Sequence, residues 1–178
     1  DAAQALLGWD ACCLQLRSPD LTPMQDIFNV DTVEGRQVEV PAFSNPGAPG
    51  PMEERVMRDG AQIILRSSEA DADGTQGLMP FGDTGRRSAS LLFVPLRHHG
   101  QHLGLFSIQS YRVGAYDRAE LDLLQTLADH VAGALERIRA EQEREKLIGE
   151  LKAALAQVKT LAGLIPICSG CKKIRDDK

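Results

Sequence analysis

Residues 88–111, SASLLFVPLRHHGQHLGLFSIQSY, decide the fold. Two runs, Ala89–Arg97 and His102–Tyr111, are rich in branched and aromatic residues and flank a His-Gly-Gln turn, which predicts an antiparallel hairpin. Both runs are apolar at odd and even positions alike, so both faces of the sheet they enter must be covered. Helices on one side and the irregular middle of the chain on the other are the available covers.

Upstream, AAQALL reads as the end of a helix and Asp10–Leu16 as a strand stopped by Ser18-Pro19-Asp20. Gln25–Val33 and Gln37–Val40 form a second hairpin around Glu34-Gly35-Arg36. Residues 41–51, PAFSNPGAPGP, carry too much Pro and Gly for regular structure, and a short helix over Met52–Arg58 follows, then a strand over Ala61–Leu65. Glu69–Gly77 and Gly82–Arg87 are polar, glycine-containing loops around the apolar island Leu78-Met79-Pro80-Phe81.

Downstream the periodicity becomes helical. Asp117 with Glu120 three residues later gives an acidic start of the capping-box kind. Leu121, Leu124, Ala128, Val131, Leu135 and Ile138 then share one face. After Glu141–Lys146 the stripe resumes at Ile148, Leu151, Leu155, Val158, Ala162 and Ile165, and no proline intervenes before Pro166. At 1.5 Å per residue such a helix is on the order of 70 Å long, more than one small domain covers. The two stripes are one residue out of register, so a change of winding or a break near Gln142–Arg144 is expected. No other long amphipathic helix is present to pair with it. A parallel homodimeric coiled coil through Leu124, Val131, Leu135, Ile138, Ile148, Leu151, Leu155 and Val158 is therefore expected.

Composition narrows the function. Apolar residues make up 43% of the 178 residues and charged ones 25%, as in ordinary globular domains. A net charge of -5 and a pI near 5.4 disfavour nucleic acid and anionic membranes as partners, because both require clustered Lys and Arg. There is no apolar run of about 18 residues and no basic, then apolar, leader at the start, so no membrane insertion and a cytoplasmic location are expected. The four cysteines fall in two close pairs, Cys12-Cys13 and Cys168-Cys171, which is no disulfide framework.

Few residues suggest chemistry. His98, His99 and His102 gather at a hairpin tip without a neighbouring carboxylate and read as exposed turn histidines rather than a metal site. Ser88 and Ser90 lack the glycines of a nucleophile elbow, and Gly100 and Gly104 lack the strand–GxGxxG–helix setting of a dinucleotide site. What remains is a space between the sheet and residues 41–88. Phe43, Met57, Ile64, Met79 and Phe81 could wall a small-molecule pocket there, with Arg86, Arg87 and Ser90 for polar contacts. The same residues could equally complete a core.

Residues 87–139 resemble the C-terminal half of a GAF domain, in the strand SLLFVPL at Ser90–Leu96, the partner strand ending in Gln109-Ser110, the helix start at Tyr116–Leu124 and LADHVAGAL at Leu127–Leu135. The resemblance implies an α+β fold: an antiparallel sheet of about six strands with helices on both faces, followed here by the coiled-coil helix. The domain would span 1–140, the signalling helix 141–165, and a CxxC tail 166–178 would begin a truncated downstream segment. The implied function is a regulatory sensory module of a bacterial signalling protein of the two-component, cyclase or phosphatase type. It would couple a small-molecule or conformational input to an absent output domain through a dimeric helix. A ligand-free dimerisation module is the alternative, and a small redox enzyme of the same fold is a third. The Asn-Lys-Phe-Asp-Glu run of cyclic-nucleotide-binding relatives is missing, as is a cysteine placed for a bilin. No catalysis and no cofactor are expected of this fragment. The C-terminal LAGLIPICSGCKKIRDDK resembles a junction segment of bacterial signalling proteins, in which Cys168 and Cys171 would supply half of a Zn²⁺ site in the full-length protein.

Overall fold

The computed structural model describes residues 2–17, 24–41, 50–67, 83, 85–162 and 170–172. Among these described residues the elements follow in order: α1 (Ala2–Leu7), β1 (Ala11–Arg17), β2 (Met24–Val33), β3 (Arg36–Glu39), α2 (Pro51–Asp59), β4 (Gln62–Leu65), β5 (Ser90–His98), β6 (Gln101–Ser110) and α3 (Arg118–Ala162). The strands form one antiparallel six-stranded sheet in the order β3-β2-β1-β6-β5-β4.

Both hairpins turn more tightly than the sequence suggested. Glu34 and Gly35 have φ of 50° and 76°, and His99 and Gly100 have φ of 46° and 80°. Two successive residues in the left-handed region make a two-residue turn whose twist matches that of the strands, and glycine at the second position relieves its steric cost. β1 then inserts between the hairpins, pairing Cys13 with Asn29 of β2 and with Ser107 of β6.

Strand alternation assigns every side chain to one of two faces. Leu91, Phe93 and Leu105 share the first face with Cys13, Asn29 and Ser107. There they join Met52 and Val56 of α2 in one apolar cluster, with Met24 and Ile64 packed against it. Helix α2 is started by Pro51 and by Glu53, whose carboxylate accepts from the Gly50 amide at 3.2 Å. Its C-terminus is held to the sheet by Arg97, which donates to the Val56 and Met57 carbonyls at 3.2 and 2.8 Å.

The second face carries Leu92, Val94, Leu96 and Ile108, all fully buried. Leu121, Leu124, Ala128 and Ala132 of α3 are buried too, and Gln125 of the same helix donates to the Pro95 carbonyl at 3.2 Å. The start of α3 is fixed as its sequence predicts: the Asp117 amide donates to Glu120 at 2.7 Å and the Ala119 amide to Asp117 at 2.6 Å. Gly104 permits the close approach of β6 to β1, because a Cβ there would run into the Gln15 carbonyl.

Contacts divide the chain into Asp1–Ala134 and Leu135–Lys178. In the second unit α3 is uninterrupted through 142–144, so of the expected change of winding or break the break does not occur: Arg144 pairs with Glu141 at 2.7 Å and Lys146 with Glu143 at 3.9 Å across the charged run. Ile138, Ile148, Leu151, Leu155 and Val158 are exposed there, while Val131 is 43% exposed within the first unit. Leu124 is fully buried in the first unit, so it belongs to the core and not to a helix seam. Ile165 lies outside the described residues, as does Cys168.

Candidate functional site

The face under α2 is apolar at its centre and polar toward β1 and β2. Asn29, Asp31 and Ser107 are 3%, 0% and 3% exposed, and Cys13 lies in the same row as Asn29 and Ser107. Burial of this much polar surface costs free energy unless each group is hydrogen-bonded, so the partners decide what the row does.

Asp31 is fully satisfied. Its carboxylate accepts from the Thr32 amide at 2.7 Å, the Asp83 amide at 2.6 Å and the Tyr111 hydroxyl at 2.8 and 3.0 Å. Tyr111 in turn lies under the Arg86 guanidinium, 3.8 Å from ring centroid to Cζ. Burial, and then the bond to Asp31, push the Tyr111 hydroxyl well above its usual pKa, so it remains a donor. The strand ends here are tied by Asp10, which accepts from the Ser110 hydroxyl at 2.8 Å and the Tyr111 amide at 2.7 Å. These bonds join the ends of β2 and β6 with Asp10 and Asp83.

Asn29 is different. Among the described residues neither atom of its side-chain amide has a hydrogen-bond partner, and the same holds for Oδ2 of Asp26, whose other oxygen accepts from Gln15 at 2.7 Å. Asp26 would point away from Asn29 in a regular strand, since three residues separate them. The register shift between Leu14 and Gln15 changes this: Leu14 pairs with Phe28 but Gln15 pairs with Asp26, so the bulge turns Asp26 to the face of Asn29 and Cys13.

Of the apolar wall expected from sequence, Ile64 packs on the core cluster and Met57 is half-buried, its sulfur accepting from Arg17 at 3.2 Å. Phe43, Met79 and Phe81 lie outside the described residues. Arg86 is placed at the rim over Tyr111, and Arg87 is exposed. Ser90 is corrected. Its neighbour Leu91 joins the cluster under α2, so alternation turns Ser90 to the other face. Its buried hydroxyl there donates to the Arg112 carbonyl at 2.8 Å and accepts from the Ala115 amide at 3.0 Å, tying the loop before α3. Sequence reasoning missed Asn29, Asp31 and Tyr111. The signal was the equal parity of Asn29 and Asp31 in a strand of a sheet expected to be covered on both faces.

Cys12 and Cys13 are buried thiols, and burial lifts Cys12 to about 12 and Cys13 higher still. A thiol so far from ionisation at neutral pH is a poor nucleophile. Cys171 is exposed and free. Among the described residues no three His, Cys, Asp or Glu side chains are grouped to hold a metal ion, and no helix is long and apolar enough to cross a membrane.

The sequence matches the family model of the GAF domain over residues 1–136. The fold resembles that of a domain ascribed to a two-component sensor histidine kinase protein of Sinorhizobium meliloti 1021, with a TM-score of 0.52 and 22% identity over 82% of this chain and 91% of that one. It also resembles the GAF domain of a phosphoenolpyruvate-protein phosphotransferase from Coxiella burnetii, with a TM-score of 0.56 and 18% identity over 78% of each chain. A type II free methionine-R-sulfoxide reductase from Thermoplasma acidophilum is similar at a TM-score of 0.52 and 16% identity, over 76% of this chain and 87% of that one. A comparison with curated protein sequences finds no match.

Proposed function

This chain belongs to the GAF domain family, and from that premise we propose that it is a regulatory sensory module which takes its input on the sheet face under α2 and passes it on through α3. The observation that carries the reading is the division of labour between the two faces. One holds a buried polar row, with Asn29 and Asp26 incompletely paired, while the other holds Leu121, Leu124, Ala128 and Ala132 of the helix that continues to Ala162. Ile148, Leu151, Leu155 and Val158 of that helix are exposed at three- and four-residue spacing, which suits association with the same helix of a second copy. An input that favours one packing of α3 over another would shift this association and so an output domain joined to it. The module carries out no reaction itself in this reading and acts in the cytoplasm.

Sedimentation velocity tests the helix. A dimer is expected for the native chain, and Leu151→Asp or Leu155→Asp should yield monomers because each places a charge in the apolar seam. Dimers that survive both substitutions would remove the coiled coil from the scheme. Thermal-shift screening of metabolites tests the input, since a ligand bound only to the folded state raises Tm by mass action.

A further inference from the structure

A buried side-chain amide with no partner is costly, since each unpaired donor or acceptor has given up its bonds to water without replacement. Asn29 is 3% exposed and has both amide atoms in this condition. Beside it, Asp26 is brought onto the same face by the β1–β2 register shift and keeps one carboxylate oxygen without a partner. Their proximity has an independent sign: after burial, the charge of Asp26 is the largest influence raising the pKa of the Cys13 thiol, and Cys13 is the ladder partner of Asn29. The unmet groups are thus two acceptors, Asp26 Oδ2 and Asn29 Oδ1, and one donor, Asn29 Nδ2. Among the described residues, Asp31 already accepts from three donors and Arg17 donates to Met57.

Resting on the sensory reading above, we propose that Asn29 and Asp26 recognise a small molecule through a planar edge rich in N–H donors, of amide or amidine type. Two N–H groups of such an edge serve the two oxygens, and an acceptor, where present, takes the Asn29 amine. A carboxylate or phosphate edge offers only acceptors and would set like charge against Asp26, so anions are refused.

Three isosteric probes bracket this chemistry: benzamidine, benzamide and benzoate have one shape and differ in the donors and the charge of the planar group, and neutral benzamide separates the two. Titrations of the chain followed by NMR should show benzamidine and benzamide shifting the Asn29 side-chain amide resonances, with benzoate inert. Asn29→Leu should weaken the binding of both by roughly tenfold or more, and Asp26→Asn should weaken benzamidine more than benzamide. The probe-free protein gives a second readout. Because Leu replaces an unpaired buried amide with an apolar group of similar size, Asn29→Leu should raise Tm by about 2–4 °C. Binding of benzoate as strong as that of benzamidine would overturn the proposal, as would failure of both N–H probes to bind at millimolar concentration. A fall in Tm for Asn29→Leu would also overturn it, since it would show that the chain itself satisfies the amide. Sedimentation with bound benzamidine separates this from the broader reading: probe binding with unchanged helix association refutes transmission through α3 and leaves the recognition intact.

Discussion

Replacing Tyr111 with Phe removes one hydroxyl and leaves the ring under Arg86 in place, so its consequence can be worked from the bonds that hydroxyl makes. It donates to a fully buried carboxylate, at 2.8 and 3.0 Å from the two oxygens of Asp31. Hydrogen bonds to charged groups are worth about 1.5–3 kcal/mol, and two backbone donors, Thr32 and Asp83, remain on Asp31 to limit the loss. The expected destabilisation is about 2 kcal/mol, which for a domain of this size lowers Tm by roughly 4–8 °C. Tyr116→Phe is the internal control. Tyr116 is also buried, but its hydroxyl donates to a neutral acceptor, the Gly8 carbonyl at 3.0 Å, and should cost about half as much. Thermal and urea unfolding at pH 7, followed by far-UV circular dichroism, measure both. The folded-state pKa of Tyr111 is raised above its ordinary value of 10.0, so the tyrosine's contribution is fully present below about pH 10 and is lost as pH rises through the folded value. The native protein should therefore lose stability above pH 10 more steeply than Tyr111→Phe. Equal losses for the two variants at pH 7, or a Tyr111→Phe effect under about 0.5 kcal/mol, would refute the idea that a charge-assisted bond ties β6 to β2.

Gly104→Ala should destabilise by about 1–3 kcal/mol in urea unfolding, because the added methyl meets the Gln15 backbone and β1 must shift relative to β6. Arg97→Met should cost about 1–2 kcal/mol and speed hydrogen exchange in Pro51–Asp59, since the Met57 carbonyl loses the Arg97 donor and the Val56 carbonyl is left with the Gly60 amide. Iodoacetamide labelling at pH 8, mapped by mass spectrometry, should modify Cys171 in the native protein but Cys12 and Cys13 only after unfolding, because burial lifts the Cys12 thiol to about 12 and closes access to both.

The elements were legible in the sequence and their assembly was not. Glu34-Gly35 and His99-Gly100 announced their hairpins because glycine is the residue that tolerates the left-handed second position of a tight turn. The placement of β1 between those hairpins joins residues far apart in the chain, Cys13 with Ser107 among them, and no local pattern encodes such a pairing. α3 shows the same limit in another form. A periodic apolar stripe states that a face is covered without stating by what. Leu124 and Ile138 read alike in sequence, yet Leu124 is fully buried and Ile138 is 55% exposed.

The candidate site was harder to read because it depends on a departure from regularity. Asn29 and Asp31 share a strand face by simple alternation, and their polarity in a covered sheet was a visible signal. Asp26 joins them only because one extra residue of β2 is accommodated opposite Leu14 and Gln15, and a bulge leaves no composition mark in MQDIFNVDTV. The assignment of Ser90 to the pocket failed for the complementary reason, since regular alternation from Leu91 turns it to the opposite face. The face under α2 therefore holds two kinds of buried polar group. Those bound to Asp31 have partners that fasten strand ends, while the Asn29 amide and Oδ2 of Asp26 have none among the described residues, and only groups of the second kind have hydrogen-bonding capacity left for a ligand.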